Sequence, residues 1–427
     1  MNAAAGAPAF PKPNPHLAKA EAHAKACALD EIDVSHPQLF EDNVFWPYFA
    51  RLRRDAPVHY CANGRYGSFW SVTKYRDIMA VDTNHKDFSS SWEHGGIVVR
   101  DQAPDFQLPM FIAMDPPRHD EQRKVVSPIV APDSLQNLEP LIRERVGRVL
   151  DGLPRNEPFD WVDKVSIELT TQMLASLFDF PWEERRQLTH WSDVVTSDVD
   201  PNDAKAIEVR RNEMRECLAC FTELWNARVN AEPGGDLISL LAHGEATREM
   251  PPMEYLGNVI LLIVGGNDTT RNSMTGGLYA LNCFPEQYER LQARPQLVDN
   301  MVSEMIRWQT PLAHMRRTAL RDVTLRGQRI KKGDRVVMWY VSGNYDDEVI
   351  AEPERFMIER PQARRHLSFG FGIHRCVGNR LAELQLKILW ESILERFDKP
   401  IEVLEEPQRV RSSFVKGYRR MMVRIPT

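Results

Sequence analysis

Toward its C-terminal end the chain reads Phe369-Gly370-Phe371-Gly372-Ile373-His374-Arg375-Cys376-Val377-Gly378-Asn379-Arg380, a stretch that few folds can accommodate. Glycines flank Cys376 on both sides and a helical pattern follows at once. Glycine permits positive φ and close backbone approach, so backbone N–H groups can wrap around the sulfur. Those groups, with the positive end of the following helix, stabilise a thiolate. A lone cysteine is more often a small core residue, but this spacing argues against that role.

The remaining sequence describes a helix-dominated chain. It has 427 residues, 43% of them hydrophobic, which is long enough for a large core. A net charge of −6 argues against nucleic acid as the main partner. Six cysteines lie scattered without a disulfide spacing, as suits a reducing cytosol, and Cys217 and Cys220 form an isolated C-x-x-C lacking further metal ligands. The longest apolar run, Val259 to Val264, falls short of the about 18 residues a membrane span needs. The N-terminus has no basic region leading into an apolar one. A cytoplasmic protein without membrane anchor is expected. Residues 1–30 read as a loose leader, with Pro11, Pro13 and Pro15 blocking regular helix until the alanine-rich stretch from Leu17, and 31–427 as one domain. Short strands are expected around the Asn63-Gly64 turn and again within 321–341 and 408–426, with helices through most of 119–315. Asp101 to Pro117 reads as a long loop. The fold class is mainly α with small β-sheets.

At every defining position the cysteine segment resembles the ligand loop of the cytochromes P450, whose haem iron is held by a cysteine thiolate. A second motif strengthens the likeness. Val259 to Val264 runs into Gly265-Gly266-Asn267-Asp268-Thr269-Thr270. Mid-helix glycine costs about 1 kcal/mol relative to alanine, and a buried acid costs more unless it is satisfied, so such rule-breaking marks function. The resemblance implies a helix lying over haem, Gly265 and Gly266 leaving room for dioxygen, Thr269 donating a hydrogen bond during oxygen activation, and Asp268 relaying protons from solvent. Glu304-Met305-Ile306-Arg307 resembles the family's structural ion pair, with Arg355 as its third partner. His119, Arg123, Arg317 and His374 correspond to contacts with the haem propionates, and Phe369 opens the ligand loop. Between Arg316 and Arg317, spacing to Ala319 favours Arg317. Asn344-Tyr345-Asp346 departs from the usual Asn-Arg-Asp.

The segments 262–274, 312–319 and 365–376 are similar to those of soluble bacterial alkane and fatty-acid terminal hydroxylases. This resemblance implies the cytochrome P450 fold, a haem b held through Cys376, dioxygen as co-substrate, and hydroxylation of the terminal methyl of a medium-chain alkane or fatty acid. With no flavin or iron–sulfur segment attached, electrons would come from a ferredoxin and its NAD(P)H-dependent reductase. Arg364, Arg375, Arg380 and Lys387 would form the basic docking patch. Leu261, Val264, Leu312, Ala313, Phe414 and Val415 are expected at the haem end of the substrate channel, and Phe106 to Met114 over its mouth. Three rivals share these motifs: hydroxylation of a terpene or other bulky hydrophobic molecule, a peroxide-driven peroxygenase, and a non-enzymatic haem sensor or carrier. Asp268-Thr269 argues against the peroxygenase.

Overall fold

A helical run that is apolar on every side has to lie inside a protein, and the helix Pro252–Cys283, which carries Val259–Val264, does. The computed structural model describes residues 14–103, 105–200 and 202–427. In it this central helix starts at a proline in its first turn and crosses the middle of the helical body. Neighbouring chain comes very close at two glycines. A Cβ at Gly257 would collide with the Pro109 carbonyl, and one at Gly277 would lie 2.5 Å from Met305 Sδ, on the helix Val298–Gln309. The polar groups on the central helix are paired off across the core. Asn258 accepts from the Phe111 N–H (2.8 Å) and donates to Gln122 (3.1 Å), while Asn272 accepts from the Tyr418 N–H (2.9 Å).

A five-stranded sheet borders the helical body, in the order Val58–Cys61, Phe69–Val72, Arg335–Met338, Met315–Ala319, Phe88–Ser89. The expected hairpin turns where expected, with Gly67 at φ 87°. Phe69–Val72 pairs parallel with Arg335–Met338, which pairs antiparallel with Met315–Ala319, aligning Arg317 with Val336. Smaller sheets follow the C-terminal chain, including Met422–Arg424 between Phe159–Asp160 and Glu402–Val403. The described residues of Asp101 to Pro117 hold only the short turn Phe111–Ala113.

The N-terminal expectation needs correction. Leu17–Ala26 is a helix whose Ala20 and Ala24 are buried, and Arg51 donates to the carbonyls of Ala24 and Cys27 (2.5 and 2.7 Å). Small alanine side chains let it dock closely, so residues 17–26 belong to the packed body. Residues 1–13 of the expected leader lie outside the described residues. Among the described residues no helix is long and apolar enough to cross a membrane.

Candidate active site

The cysteine loop is shaped by two left-handed glycines, Gly370 (φ 65°) and Gly372 (φ 69°). The Cys376 N–H donates to the Phe369 carbonyl (2.8 Å), closing the loop on itself. Three residues later the helix Asn379–Arg396 begins. Cys376 lines a cavity of about 500 Å³. Burial pushes its thiol up, while the Gly378 N–H and the guanidinium groups of Arg123 and Arg375 act against that shift.

Asp82 anchors this loop, and it was not among the expected residues. Its carboxylate accepts from the Phe371 N–H (2.8 Å), the Tyr340 hydroxyl (2.9 Å) and Arg317 (2.8 Å). It ends the helix Tyr75–Asp82, and nothing in its local sequence marks it. A second support comes from the Glu304–Arg307 pair, which is bidentate (2.7 and 2.8 Å) and fully buried. Arg307 also donates to the carbonyls of Asn344 (3.0 Å) and Pro353 (2.8 Å). The Asn344 side chain accepts from the Leu367 N–H (2.7 Å) and donates to Ser368 (2.9 Å), just ahead of the loop. Tyr345, in place of the usual arginine, puts its ring 5.3 Å from the Arg307 guanidinium and donates to the Trp308 carbonyl (3.0 Å).

Arg355 is not the third member. The chain turns so that its carbonyl points inward, accepting from Arg307 (3.1 Å), while its side chain pairs outside with Glu352 (3.5 Å). Arg360 fills the role, donating to Glu304 at 2.8 Å.

The cavity brings together most of the other expected residues. Arg123, Arg317, Phe369, His374, Gly265 and Thr269 all line it, and so do Leu261, Val264, Leu312 and Phe414. Phe106, Leu108, Met110 and Phe111 from the long loop close its far side. Ala313 and Val415 do not line it. The Ala313 N–H donates to the Phe414 carbonyl (2.8 Å), and Leu312 bridges Val415, so alternation along these two extended segments turns both side chains into the core. The two central-helix glycines also differ. A Cβ at Gly265 would meet nothing within 4 Å, whereas one at Gly266 would lie 2.8 Å from Leu174. Only Gly265 leaves open space.

Thr269 donates to the Gly265 carbonyl (2.7 Å). Asp268 points away from the cavity, accepting from Ser192 (2.8 Å) and pairing with Arg271. Arg271 continues to Asp193 (2.8 Å), whose side chain is half exposed. Burial pushes the Asp268 carboxyl up, and Arg271 opposes it.

The basic residues near the cysteine divide into two groups. Arg364, Arg375 and Arg380 are exposed and surround a hollow of about 320 Å³ beside Glu383. Lys387 is paired with Asp299 (2.9 Å) and Glu391 (3.8 Å).

A family model described as Cytochrome P450 matches residues 156–423. Linalool 8-monooxygenase of Pseudomonas putida is 35% identical over 404 residues, covering 92% of this chain and 99% of that protein. The chain belongs to the cytochrome P450 family. It is a haem-dependent monooxygenase with the P450 fold. Among solved P450 structures, CYP153D17 from Sphingomonas sp. PAMC 26605 superposes with a TM-score of 0.88 at 49% identity, covering 94% of this chain and 100% of that one. The methyl-branched lipid omega-hydroxylase of Mycobacterium bovis is 32% identical over 398 residues, 90% of this chain and 91% of that protein.

The cavity fits the haem that P450 membership implies. His374 lines the cavity, whereas His119 does not and packs against His374 with the rings 4.2 Å apart; among the described residues His119 Nε2 and both His374 ring nitrogens are buried without a hydrogen-bond partner. Buried donors rarely stay unsatisfied in a finished structure, and two guanidinium groups, Arg123 and Arg317, line the same cavity. Arg316 instead pairs with Asp101 on the other face of its strand.

Proposed function

We propose that this P450 hydroxylates the terminal methyl of a medium-chain alkane or fatty acid. The observation that carries the reading is a single continuous cavity, running from Cys376 past Leu261, Val264, Leu312 and Phe414 to the Phe106–Phe111 segment. A long apolar chain can lie along such a space with one end at the haem that Cys376 would hold. The omega-hydroxylase named above and the resemblance in segments 262–274, 312–319 and 365–376 support the same choice over a bulky ring.

In this reading Cys376 ligates the iron, and His119, Arg123, Arg317 and His374 hold the propionates. Bound haem would supply the oxygen chemistry, with Cys376 as the thiolate that would hold its iron. The chain's own residues orient the substrate and manage water and protons. Thr269 has its hydroxyl on the cavity and can trade the Gly265 carbonyl for a partner there. Asp268 delivers protons only by leaving Arg271, because its carboxyl is turned from the cavity. Electrons come from a separate ferredoxin and its reductase, for which Arg364, Arg375 and Arg380 offer an exposed basic surface.

Product analysis tests the proposal. Secondary C–H bonds are weaker than primary ones, so terminal oxidation requires a shape that presents only the methyl group. Wild type should give the terminal alcohol from decane or dodecanoate, and Leu312→Ala should shift oxygen toward penultimate carbons while turnover persists. Terminal selectivity unchanged in Leu312→Ala, together with equally tight binding of bulky terpenes by wild type, would refute it.

A further inference from the structure

Charges around the far end of the cavity do not balance. Of the acids there, Asp198 is occupied by Tyr66 (2.9 Å), Arg65 (3.3 Å) and Arg411 (3.8 Å), and Asp101 by Arg316 (2.5 Å) and Arg335 (3.3 Å). Arg211 pairs with Asp105 (2.8 Å). Two lining guanidinium groups remain. Among the described residues Arg100 donates only to the Val199 carbonyl (3.3 Å). Arg210 donates to the carbonyl and hydroxyl of Ser197, and among the described residues its buried Nε–H has no partner. Among the described residues neither has a carboxylate within 4.0 Å.

We infer that Arg100 and Arg210 form a carboxylate-binding subsite that seats the acid head of a linear substrate and leaves its methyl end toward Cys376. This rests on the terminal-hydroxylation reading and selects the fatty acid over the alkane within it. Three segments build the subsite: the loop carrying Arg100, the 197–199 stretch, and the second turn of the helix Ala204–Val229. Two cations near one another without an acid repel, and partial burial makes that more costly. Burial, and after it the charge of Arg100, push Arg210 down to about 10, with Asp198 acting the other way. A carboxylate between them would supply the missing countercharge and take up the unused Nε–H. Planar guanidinium groups favour paired N–H donors on both oxygens of such an anion. Burying the rest of a fatty acid then falls to the apolar lining, so the head group sets which end faces the haem.

The haem-loaded enzyme is titrated with dodecanoate, methyl dodecanoate and dodecane, following the substrate-induced absorbance shift and, independently, the heat of binding. Wild type should prefer dodecanoate to its ester, and that preference should weaken as salt rises. In Arg100→Gln/Arg210→Gln the dodecanoate affinity should fall about 10-fold or more beyond any loss for the ester, as expected for charge-assisted hydrogen bonds. Arg210→Lys in the presence of Arg100 should recover part of it. Equal losses for acid and ester, or an unchanged dodecanoate affinity, would overturn the subsite. Tight wild-type binding of dodecane with no preference for the acid would overturn it too, while leaving terminal hydroxylation standing. Wild type binding neither linear chain but accepting a bulky terpene would overturn the underlying reading and the subsite together.

Discussion

Replacing Arg360 by alanine removes one of the two guanidinium groups on Glu304 and leaves Arg307 as the other. Both groups are buried, so the loss should cost about 1.5–3 kcal/mol, the range for a hydrogen bond to a charged group. Arg355→Ala, which cuts an exposed pair, should stay within about 0.5 kcal/mol. Urea denaturation of the two variants separates them, and the reverse ranking would restore Arg355 to the triad. Glu304 and Arg307 are legible because residues three apart in one helix share a face. Arg360 is not, because its approach depends on how the intervening loop turns, which no local spacing encodes. Asp82 is hidden for the same reason. At the oxygen-activating end, Thr269→Ala should leave haem binding intact but divert electrons to hydrogen peroxide. Asp268→Asn should slow turnover, since the only ionisable carboxyl on that helix turn is lost. Measuring product formed per NADH consumed distinguishes the two, and unchanged coupling and rate in both would mean that protons enter elsewhere.

Elements differ in how far their sequences announce them. Pro252 and the unbroken apolar run make the central helix plain, and Asn63-Gly64 marks the first hairpin. Met315–Ala319 is obscure because Met-Arg-Arg-Thr-Ala shows no apolar alternation. Its two arginines nonetheless obey the strand period, one reaching Asp101 and the other Asp82 on opposite faces. That period decides which arginine reaches the cavity. Contact between the central helix and the covering loop is tested by Gly257→Ala. The helix gains about 1 kcal/mol of propensity, whereas overpacking against the Pro109 carbonyl costs about 1–3 kcal/mol. Collision therefore wins, and the loop is the part free to move. The variant should lose up to about 2 kcal/mol and be cut faster by protease between residues 99 and 112, whereas wild-type cleavage rates would show that the helix yields instead.

Acidification acts on the whole molecule. His314 and His366 are buried, and burial pushes them down to about 4 and about 3. His314 also spans two segments, lying 2.9 Å from the Ser413 carbonyl through Nδ1 and accepting from the Val99 N–H through Nε2 (3.1 Å), which fits only a neutral ring. In the unfolded chain histidine titrates near about 6.5, so below that pH the unfolded state binds more protons and stability falls. The contribution is present in full above about 6.5 and is lost as pH drops toward the folded values. Between pH 7 and pH 5 each ring should withdraw about 2 kcal/mol. Urea midpoints across that range should decline, and His314→Gln should flatten the decline by one ring's share; an unaltered slope would remove His314 from the account. The same kind of long-range tie has a different consequence at Asp82, where one carboxylate holds the backbone of the ligand loop and the Arg317 guanidinium at once. Sulfur and cation are thereby gauged from a common datum. A shift of the helix that carries Asp82 translates both together, so the spacing of the grip survives movements that change its position.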